Sequence, residues 1–210
     1  MVMELRATEE REYDFYENSR VMLESVEKEL VLRIDLIRRY LVLEGQRDPV
    51  EHCKSRIKSP ESMIEKLKKK GLPVTLDAAL NQVYDAVGLR IVCQFVDDVY
   101  QMADILRRQE DITIVKEKDY IASPKPNGYR SYHMIIRFPI YLPDCTKELY
   151  AEIQIRTLAM DSWAALEHEL RYKHTIPNAE MLAKELKRCS DEMASTDLTM
   201  QTIRKMINKS

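Results

Sequence analysis

Apolar residues recur along the chain at two different spacings, which predict helices and strands. Steps of three and four, as in Leu23, Val26, Leu30 and Ile34, predict a helix with one buried face, whereas alternation or a continuous apolar run predicts strands. The predicted helices cover residues 9–43, 59–70, 75–83, 96–109, 158–172 and 178–207. The predicted strands cover residues 52–57, 87–95, 111–118, 131–142 and 148–157. This order predicts an α+β fold, in which a mixed β-sheet is flanked by helices and the terminal helices are long.

The predicted elements divide the chain into three segments. An N-terminal helical segment (1–48) ends near Gly45 and Pro49, a core containing all the strands covers 49–175, and a C-terminal helix covers 176–210. Apolar seams along the two terminal helices are compatible with packing on the core or on another subunit. We favour an oligomer because both helices are long.

Composition and charge exclude several classes of protein. The net charge of −2 disfavours a general nucleic-acid coat, so any basic site must be local. No apolar run reaches the length of a membrane span, and the N-terminus has no signal region, which predicts a cytoplasmic protein with no membrane partner. The four cysteines include no CxxC pair, and the four glycines form neither a Walker-type loop nor GxGxxG.

The segment 125–133, KPNGYRSYH, combines a tight turn with the residues of a nucleotide site. Asn127 and Gly128 tolerate the backbone angles of a chain reversal. Tyr129 offers a platform for a flat ring, and Lys125 and His133 offer donors for phosphate oxygens. The spacing alone fits an ordinary hairpin turn as well as a nucleotide site.

A second candidate site lies at the start of the helix predicted from residue 59. Arg56 and Lys58 flank that helix start, where the backbone N–H groups favour an anion, and Ser62 and Lys66 share one helix face. A triphosphate would fit this arrangement. The alternative interpretation, a solvated basic face, holds for residues 68–70.

Two carboxylates could complete such a site. Asp85 stands just before the strand predicted from residue 87, which contains Arg90 within an apolar run. Glu152 and Gln154 share the polar face of a later strand, and His133 lies on the equivalent face of the strand before it. If these faces coincide, Asp85 and Glu152 would be acidic groups in a basic pocket, as a Mg²⁺-dependent phosphate transfer requires.

These residues together closely resemble the synthetase domain of the RelA/SpoT family, over residues 15–175. The matching motifs are RIKSPES (56–62), DAVGLR (85–90), KPNGYRSYH (125–133), EIQIRT (152–157), and Trp163 with Glu167 and His168. In its length and in its lack of a His-Asp hydrolase signature, the chain resembles a stand-alone small alarmone synthetase. The resemblance implies a nucleotidyltransferase-like fold for the core.

The resemblance also implies an activity, that of a GTP diphosphokinase. Such enzymes transfer the β,γ-diphosphate of ATP to the 3′-hydroxyl of GDP or GTP, which makes (p)ppGpp and AMP. Two alternatives stay open: a toxin-type relative that pyrophosphorylates the tRNA 3′ end, and a non-catalytic scaffold that binds nucleotide or RNA.

Site residues follow from the resemblance, motif by motif. The residues implied for ATP are Arg56, Lys58, Ser62, Lys66 and Arg90. The residues implied for GDP or GTP are Lys118, Lys125, Asn127, Tyr129, His133 and Gln154. Asp85 and Glu152 would bind Mg²⁺ and act as the catalytic carboxylates, with Glu152 also activating the attacking hydroxyl.

The resemblance further implies partners and regulation. Small synthetases of this type form homotetramers through their terminal helices, and some are activated by pppGpp or inhibited by single-stranded RNA. In the activated group an aromatic residue and a threonine precede the first arginine, where this chain has His52 and Lys54. Because these two residues differ, regulation by pppGpp is left open, and single-stranded RNA is retained as a candidate regulator.

Overall fold

The computed structural model describes residues 15–172 and 179–208, which form a five-stranded β-sheet and six helices. The strands are β1 (Val50–Ile57), β2 (Val87–Cys93), β3 (Thr113–Asp119), β4 (Tyr132–Tyr141) and β5 (Thr146–Thr157). The helices are α1 (Ser19–Leu43), α2 (Pro60–Lys69), α3 (Leu76–Asn81), α4 (Val96–Arg107), α5 (Leu158–Tyr172) and α6 (Ala179–Ile207). Within the described residues, no helix has both the length and the apolar character that crossing a bilayer requires.

The strand order in the sheet is β1-β2-β5-β4-β3. Only β2 and β5 pair in parallel, and the other neighbours are antiparallel. The predicted mixed sheet is therefore confirmed. The sequence also predicts that the two strands on either side of Pro143 and Asp144 pair antiparallel, and β4 and β5 do so. The sequence also predicts a strand–helix–strand unit from β2, α4 and β3, but in the sheet those two strands are separated by β5 and β4.

Alternation along the strands separates a core face from an open face. On β5, Ile153 and Ile155 are completely buried, whereas the intervening Gln154 is only partly buried on the other face. Leu30 of α1 and Met102 of α4 belong to the same buried cluster as these isoleucines. Two helices thus cover the apolar face by hydrophobic burial, which leaves the polar face free for a site.

The N-terminal helix differs from its prediction. Residues 9–14 lie outside the described part of the chain, and Glu17 adopts a φ of 46°, which interrupts the helix before Ser19. The interruption places Tyr16 in the core, where it is completely buried and its hydroxyl donates to the carbonyl of Lys58 (2.8 Å). Burial of one aromatic ring therefore outweighs continuation of the helix at this point.

Helix α6 packs on the protein largely through polar side chains. Gln201 accepts a hydrogen bond from the backbone of Asp97 (2.8 Å), and Arg204 forms an ion pair with Asp98 (3.1 Å). Met200 and Ile203 of the predicted apolar seam are instead exposed. The second half of that seam faces away from the core.

Candidate active site

Two rows of residues cross all five strands, and their side chains share the open face of the sheet. From β3 to β1, one row consists of Lys118, His133, Gln154, Arg90 and Lys54. The next row consists of Lys116, Ile135, Glu152, Gly88 and Arg56. Cations thus lie toward both edges of the sheet and a carboxylate lies at its centre. The polar faces predicted for β4 and β5 therefore coincide, and they belong to a polar surface that extends over all five strands.

Asp85, immediately before β2, is held by two lysines from the neighbouring segment. Its Oδ2 lies 2.6 Å from Nζ of Lys66 and 3.2 Å from Nζ of Lys58. Its Oδ1 is buried and has no hydrogen-bond partner among the residues that the structure describes. A buried carboxylate oxygen without a partner is costly, so this atom is a natural ligand for a cation.

The start of α2 places those lysines as the sequence predicts. Ser59 is the N-cap, and its hydroxyl oxygen accepts a hydrogen bond from the backbone N–H of Ser62 (3.3 Å), with Pro60 at the first helical position. Lys66 lies on the same helix one turn after Ser62. The hydroxyl of Ser62 itself is exposed and hydrogen-bonds the Ser59 hydroxyl (3.1 Å), so this predicted residue lies at the rim of the site.

Glu152 is tied to its neighbours through both carboxylate oxygens. Its Oε1 accepts from Nδ1 of His133 (3.2 Å), and its Oε2 accepts from the amide of Gln154 (2.8 Å). Burial acts to raise the pKa of Glu152, but the hydrogen bond and charge of His133 and the bond from Gln154 outweigh it and lower that pKa to about 2. Glu152 is therefore an anion throughout the neutral range.

Tyr129 lies at the end of the predicted turn and is partly buried rather than sealed in the core. Gly128 supplies the turn with a φ of 92°. The Tyr129 hydroxyl hydrogen-bonds Nε2 of His133 (2.8 Å), and Nζ of Lys125 lies 4.5 Å from the ring centroid. Tyr129 is thus connected to Glu152 through one histidine.

The same loop is braced by the two last helices. The Asn127 amide donates to Glu167 of α5 (3.2 Å), and the Ser190 hydroxyl of α6 donates to the Gly128 carbonyl (2.5 Å). A Cβ added at Gly128 would lie only 2.8 Å from Cβ of Ser190. The C-terminal helix therefore sets the position of the loop of residues 125–129, which is called the predicted acceptor loop below because it contains residues implied for GDP or GTP.

Two cavities on the open face share Asp85 and Glu152 in their linings. The first cavity also contains the predicted site residues Arg56, Arg90 and Gln154. The second also contains the predicted site residues Lys66, Lys118 and His133. Both arginines implied for ATP thus line the first cavity, whereas the six residues implied for GDP or GTP are divided: Lys118 and His133 line the second cavity, Gln154 lines the first, and the other three line neither. Lys66, which is also implied for ATP, lines the second cavity.

Several residues that line or adjoin the site were assigned no role from the sequence. Lys116 lines the second cavity, and its alternation with Lys118 could have identified it. Arg156 is almost completely buried, and it donates to the Tyr129 hydroxyl (2.5 Å) and to Gln154 (2.6 Å). Asp161 carried no signal, because an acidic residue in the first turn of a helix is common.

Asp85 and Glu152 fit a magnesium ion whose remaining ligands are water and substrate phosphates. Within the described ranges, no group of three or more His, Cys, Asp or Glu side chains is arranged to hold a metal. Mg²⁺ is commonly bound by one or two carboxylates together with water and substrate phosphates. The free Oδ1 of Asp85 and the ionised Glu152 match that donor set.

Comparison with known proteins identifies the same region of the chain. A sequence model described as “Region found in RelA / SpoT proteins” matches residues 55–177, more than half of the chain. The match includes both carboxylates, the start of α2 and the predicted acceptor loop.

Two curated proteins of Bacillus subtilis (strain 168) are similar over most of their length. GTP pyrophosphokinase YwaC is 43% identical over 169 residues, which cover 80% of this chain and 80% of YwaC. GTP pyrophosphokinase YjbM is 37% identical over 177 residues, which cover 84% of this chain and 82% of YjbM.

Solved structures show the same fold. Small alarmone synthetase 1 from Bacillus subtilis, bound to its product pppGpp, superposes with a TM-score of 0.83 at 37% identity, covering 92% of this chain and 98% of that chain. Small alarmone synthetase 2 from the same organism superposes with a TM-score of 0.80 at 39% identity, covering 90% and 97%. The predicted α+β fold with terminal helices is thereby confirmed.

Proposed function

This chain belongs to the RelA/SpoT family, and we propose that it is a GTP pyrophosphokinase that transfers the β,γ-diphosphate of ATP to the 3′-hydroxyl of GDP or GTP. The products would be (p)ppGpp and AMP. Both curated relatives have the same activity in their names, and one structural neighbour is bound to pppGpp. Nucleotides are therefore its substrates.

The observation that carries this proposal is that two cavities share one pair of carboxylates. In-line transfer requires the donor phosphate and the attacking hydroxyl to meet with their charges balanced. Asp85 and Glu152 lie at the junction of the two cavities, and lysines and arginines line the walls. A donor in one cavity and an acceptor in the other would meet there.

On the donor side, we assign Arg56 and Arg90 to the adenine ring. Guanidinium groups stack on flat rings, and both arginines line the first cavity. Lys58, Ser62 and Lys66 would hold the ATP phosphates near the start of α2, where the backbone N–H groups add to the attraction.

On the acceptor side, we assign Tyr129 to stack on guanine and Asn127 to contact the edge of the base. The residues assigned to the ribose and phosphates are Lys118, Lys125, His133 and Gln154. Support comes from the position of the Lys125 ammonium near the Tyr129 ring and from the contact of His133 with both Tyr129 and Glu152.

Asp85 and Glu152 are the residues that would hold Mg²⁺, which when bound would offset negative charge on the phosphates. Lys58 and Lys66 already balance Asp85 through its other oxygen. We assign Glu152 also to receive the proton of the 3′-hydroxyl. Because its pKa is low, it contributes more by orienting the hydroxyl and stabilising positive charge than by basicity.

A product assay tests the proposed function. Purified protein given ATP, Mg²⁺ and GDP is expected to release AMP and a guanosine tetraphosphate in equal amounts. Parallel reactions with GMP and GTP identify the preferred acceptor. Absence of both products, under conditions in which YwaC is active, would refute the proposal.

Two rival functions are tested by the same reactions. Transfer to tRNA in a mixture of tRNA and GDP would support a toxin-type relative, and nucleotide binding without turnover would support a scaffold. The paired carboxylates favour an enzyme over a scaffold, because pure binding of a polyphosphate needs no buried anions beside it.

We also propose that the chain assembles as a homotetramer through α1 and α6. Leu32, Leu36, Tyr40 and Leu43 form an exposed apolar stripe along α1, and Met200 and Ile203 are exposed on α6. Light scattering on the purified protein measures the mass of the assembly, and Leu36→Glu is expected to lower that mass.

A cytoplasmic location and inhibition by single-stranded RNA stay proposals. Cell fractionation tests the location, and adding RNA to the product assay tests the inhibition.

A further inference from the structure

One carboxylate, Asp161, lies between the two sides of the site. It stands in the first turn of α5, directly after β5, and only 15% of its side chain is exposed. Its Oδ1 lies 3.2 Å from Nη1 of Arg90 and 3.1 Å from Nη1 of Arg156. Its Oδ2 is 4.0 Å from Nε2 of His52, beyond hydrogen-bond distance. A single oxygen atom thus binds guanidinium groups from two different strands.

The first of these guanidinium groups belongs to the donor side. Arg90 lines the first cavity together with Arg56. Burial, followed by repulsion from Arg156, lowers the pKa of Arg90, and the charge of Asp161 acts against both. Without Asp161 the two arginines would repel each other across the site, and Arg90 would turn toward solvent.

The second guanidinium group belongs to the acceptor side. Arg156 is 3% exposed, its Cζ lies 5.1 Å from the centroid of the Tyr129 ring, and its Nη2 donates to the Tyr129 hydroxyl (2.5 Å). Its other nitrogen, Nη1, binds Asp161. The position of the Tyr129 ring therefore depends on an arginine that Asp161 orients.

We propose that Asp161 is a positioning residue that fixes Arg90 and Tyr129 relative to each other, so that the adenine and guanine bases bind at a set separation. This proposal rests on the proposed function, because it assigns the two residues to the two substrates. The relative position of the two bound nucleotides would then depend on the carboxylate of Asp161, which contacts neither nucleotide. Such pre-organisation lowers the entropy cost of bringing donor and acceptor together.

Steady-state kinetics of Asp161→Asn test the proposal. The substitution keeps the size of the side chain and removes its charge, so KM is expected to rise about tenfold for both ATP and GDP, a loss of about 1.4 kcal/mol for each. Arg90→Ala is expected to raise KM for ATP alone. The matched control is Asp48→Asn, which removes a carboxylate paired with Arg38 (2.9 Å) outside the site and should leave both KM values unchanged.

A double mutant separates positioning from a general loss of structure. In the Arg90→Ala background, Asp161→Asn should no longer raise KM for ATP, but it should still raise KM for GDP. Asp161→Glu keeps the charge, so it should raise the KM values for ATP and GDP much less than Asp161→Asn does. An equal effect of Asp161→Asn on ATP in the two backgrounds, or unchanged KM values in the single variant, would overturn the proposal.

The two proposals fail in distinguishable ways. If the wild-type protein makes no tetraphosphate, the proposed function is wrong. The role of Asp161 is then tested by measuring the affinities of the variants for GDP and for a non-hydrolysable ATP analogue instead of KM values. If the wild-type protein is active but Asp161→Asn changes the affinity for one nucleotide or for neither, only the role of Asp161 is wrong. Melting temperatures of the variants identify any that fail to fold.

Discussion

The ammonium group of Lys66 lies 2.6 Å from Oδ2 of Asp85, so a helix residue is paired with the carboxylate that precedes β2. Lys58 reaches the same oxygen from the end of β1, at 3.2 Å. Two lysines therefore balance the negative charge of this largely buried carboxylate. Phosphates entering the site would attract these lysines, while Oδ1 of Asp85 stays free for a cation.

Asp85→Asn should abolish turnover and tighten nucleotide binding in the absence of metal. We expect turnover to fall by about 100-fold or more, because a charged group at the reacting phosphates is lost. Removing a negative charge beside the phosphates should strengthen ATP binding in EDTA by about fivefold, or about 1 kcal/mol. Calorimetric titration measures the affinity, and the exposed Asp77→Asn is the control. Weaker binding by Asp85→Asn in EDTA would contradict this account of the pocket.

Glu152→Gln should abolish turnover but retain nucleotide binding. Glutamine keeps the shape and can still hydrogen-bond Gln154, but it can neither hold a metal strongly nor receive a proton. Product formation and equilibrium binding of GDP should be measured on the same preparation. Substantial activity in this variant would show that the proposed proton acceptor is another group.

The stability contributed by Glu152 should disappear at low pH. Its pKa is lowered from the usual 4.5 to about 2 in the folded protein, so the unfolded chain takes up a proton first as the pH falls. The contribution is therefore complete above pH 4.5 and is lost as the pH falls toward 2. Urea unfolding of wild type and Glu152→Gln at pH 6 and pH 3 measures it. A stability difference that is equal at both pH values would contradict the low pKa.

Tyr129→Ala should mainly raise KM for the guanine nucleotide. Loss of a stacked aromatic ring costs about 1–3 kcal/mol per base, which corresponds to a KM rise of roughly 5- to 150-fold. Tyr129→Phe keeps the ring but loses the hydrogen bonds to Arg156 and His133, so its effect should be smaller. A larger effect on KM for ATP than on KM for GDP would place the ring on the donor side instead.

Gly128→Ala should impair the acceptor side through the backbone. The residue has a φ of 92°, and an added Cβ would lie 2.8 Å from Cβ of Ser190, so both strain and a clash would displace the loop. We expect KM for GDP to rise and KM for ATP to change little. Adding Ser190→Gly removes the contact with the Ser190 side chain, but it leaves the strain and also removes the hydrogen bond from Ser190 to the Gly128 carbonyl, so it should recover only part of the loss. Full recovery would mean that the backbone strain is unimportant.

Local features of the site were predictable from sequence because they depend on neighbours in the chain. Ser59 as an N-cap, the start of α2 and the turn at Gly128 follow from residue types within a few positions. Alternation along β5 placed Glu152 and Gln154 on one face. The resemblance to a known family, carried by these motifs, then predicted the fold that the comparisons confirm.

Features that depend on distant contacts were not predictable in this way. The break before Ser19 follows from burial of Tyr16, and the polar contacts by which α6 packs join residues that are far apart in the chain. Asp161 became part of the site only because α5 begins beside Arg90. The periodicity of residues within one segment carries no information about such contacts between distant segments.

The sequence by itself determined which segments become strands and which side chains share a face, because backbone geometry repeats every two residues in a strand and about every 3.6 in a helix. Only the tertiary structure decided that β5 lies beside β2, which puts Gly88 opposite Glu152 and brings Asp85 and Glu152 to the junction of two cavities. The pairing of strands far apart in the chain is set by burial of the whole apolar face, which no single segment specifies.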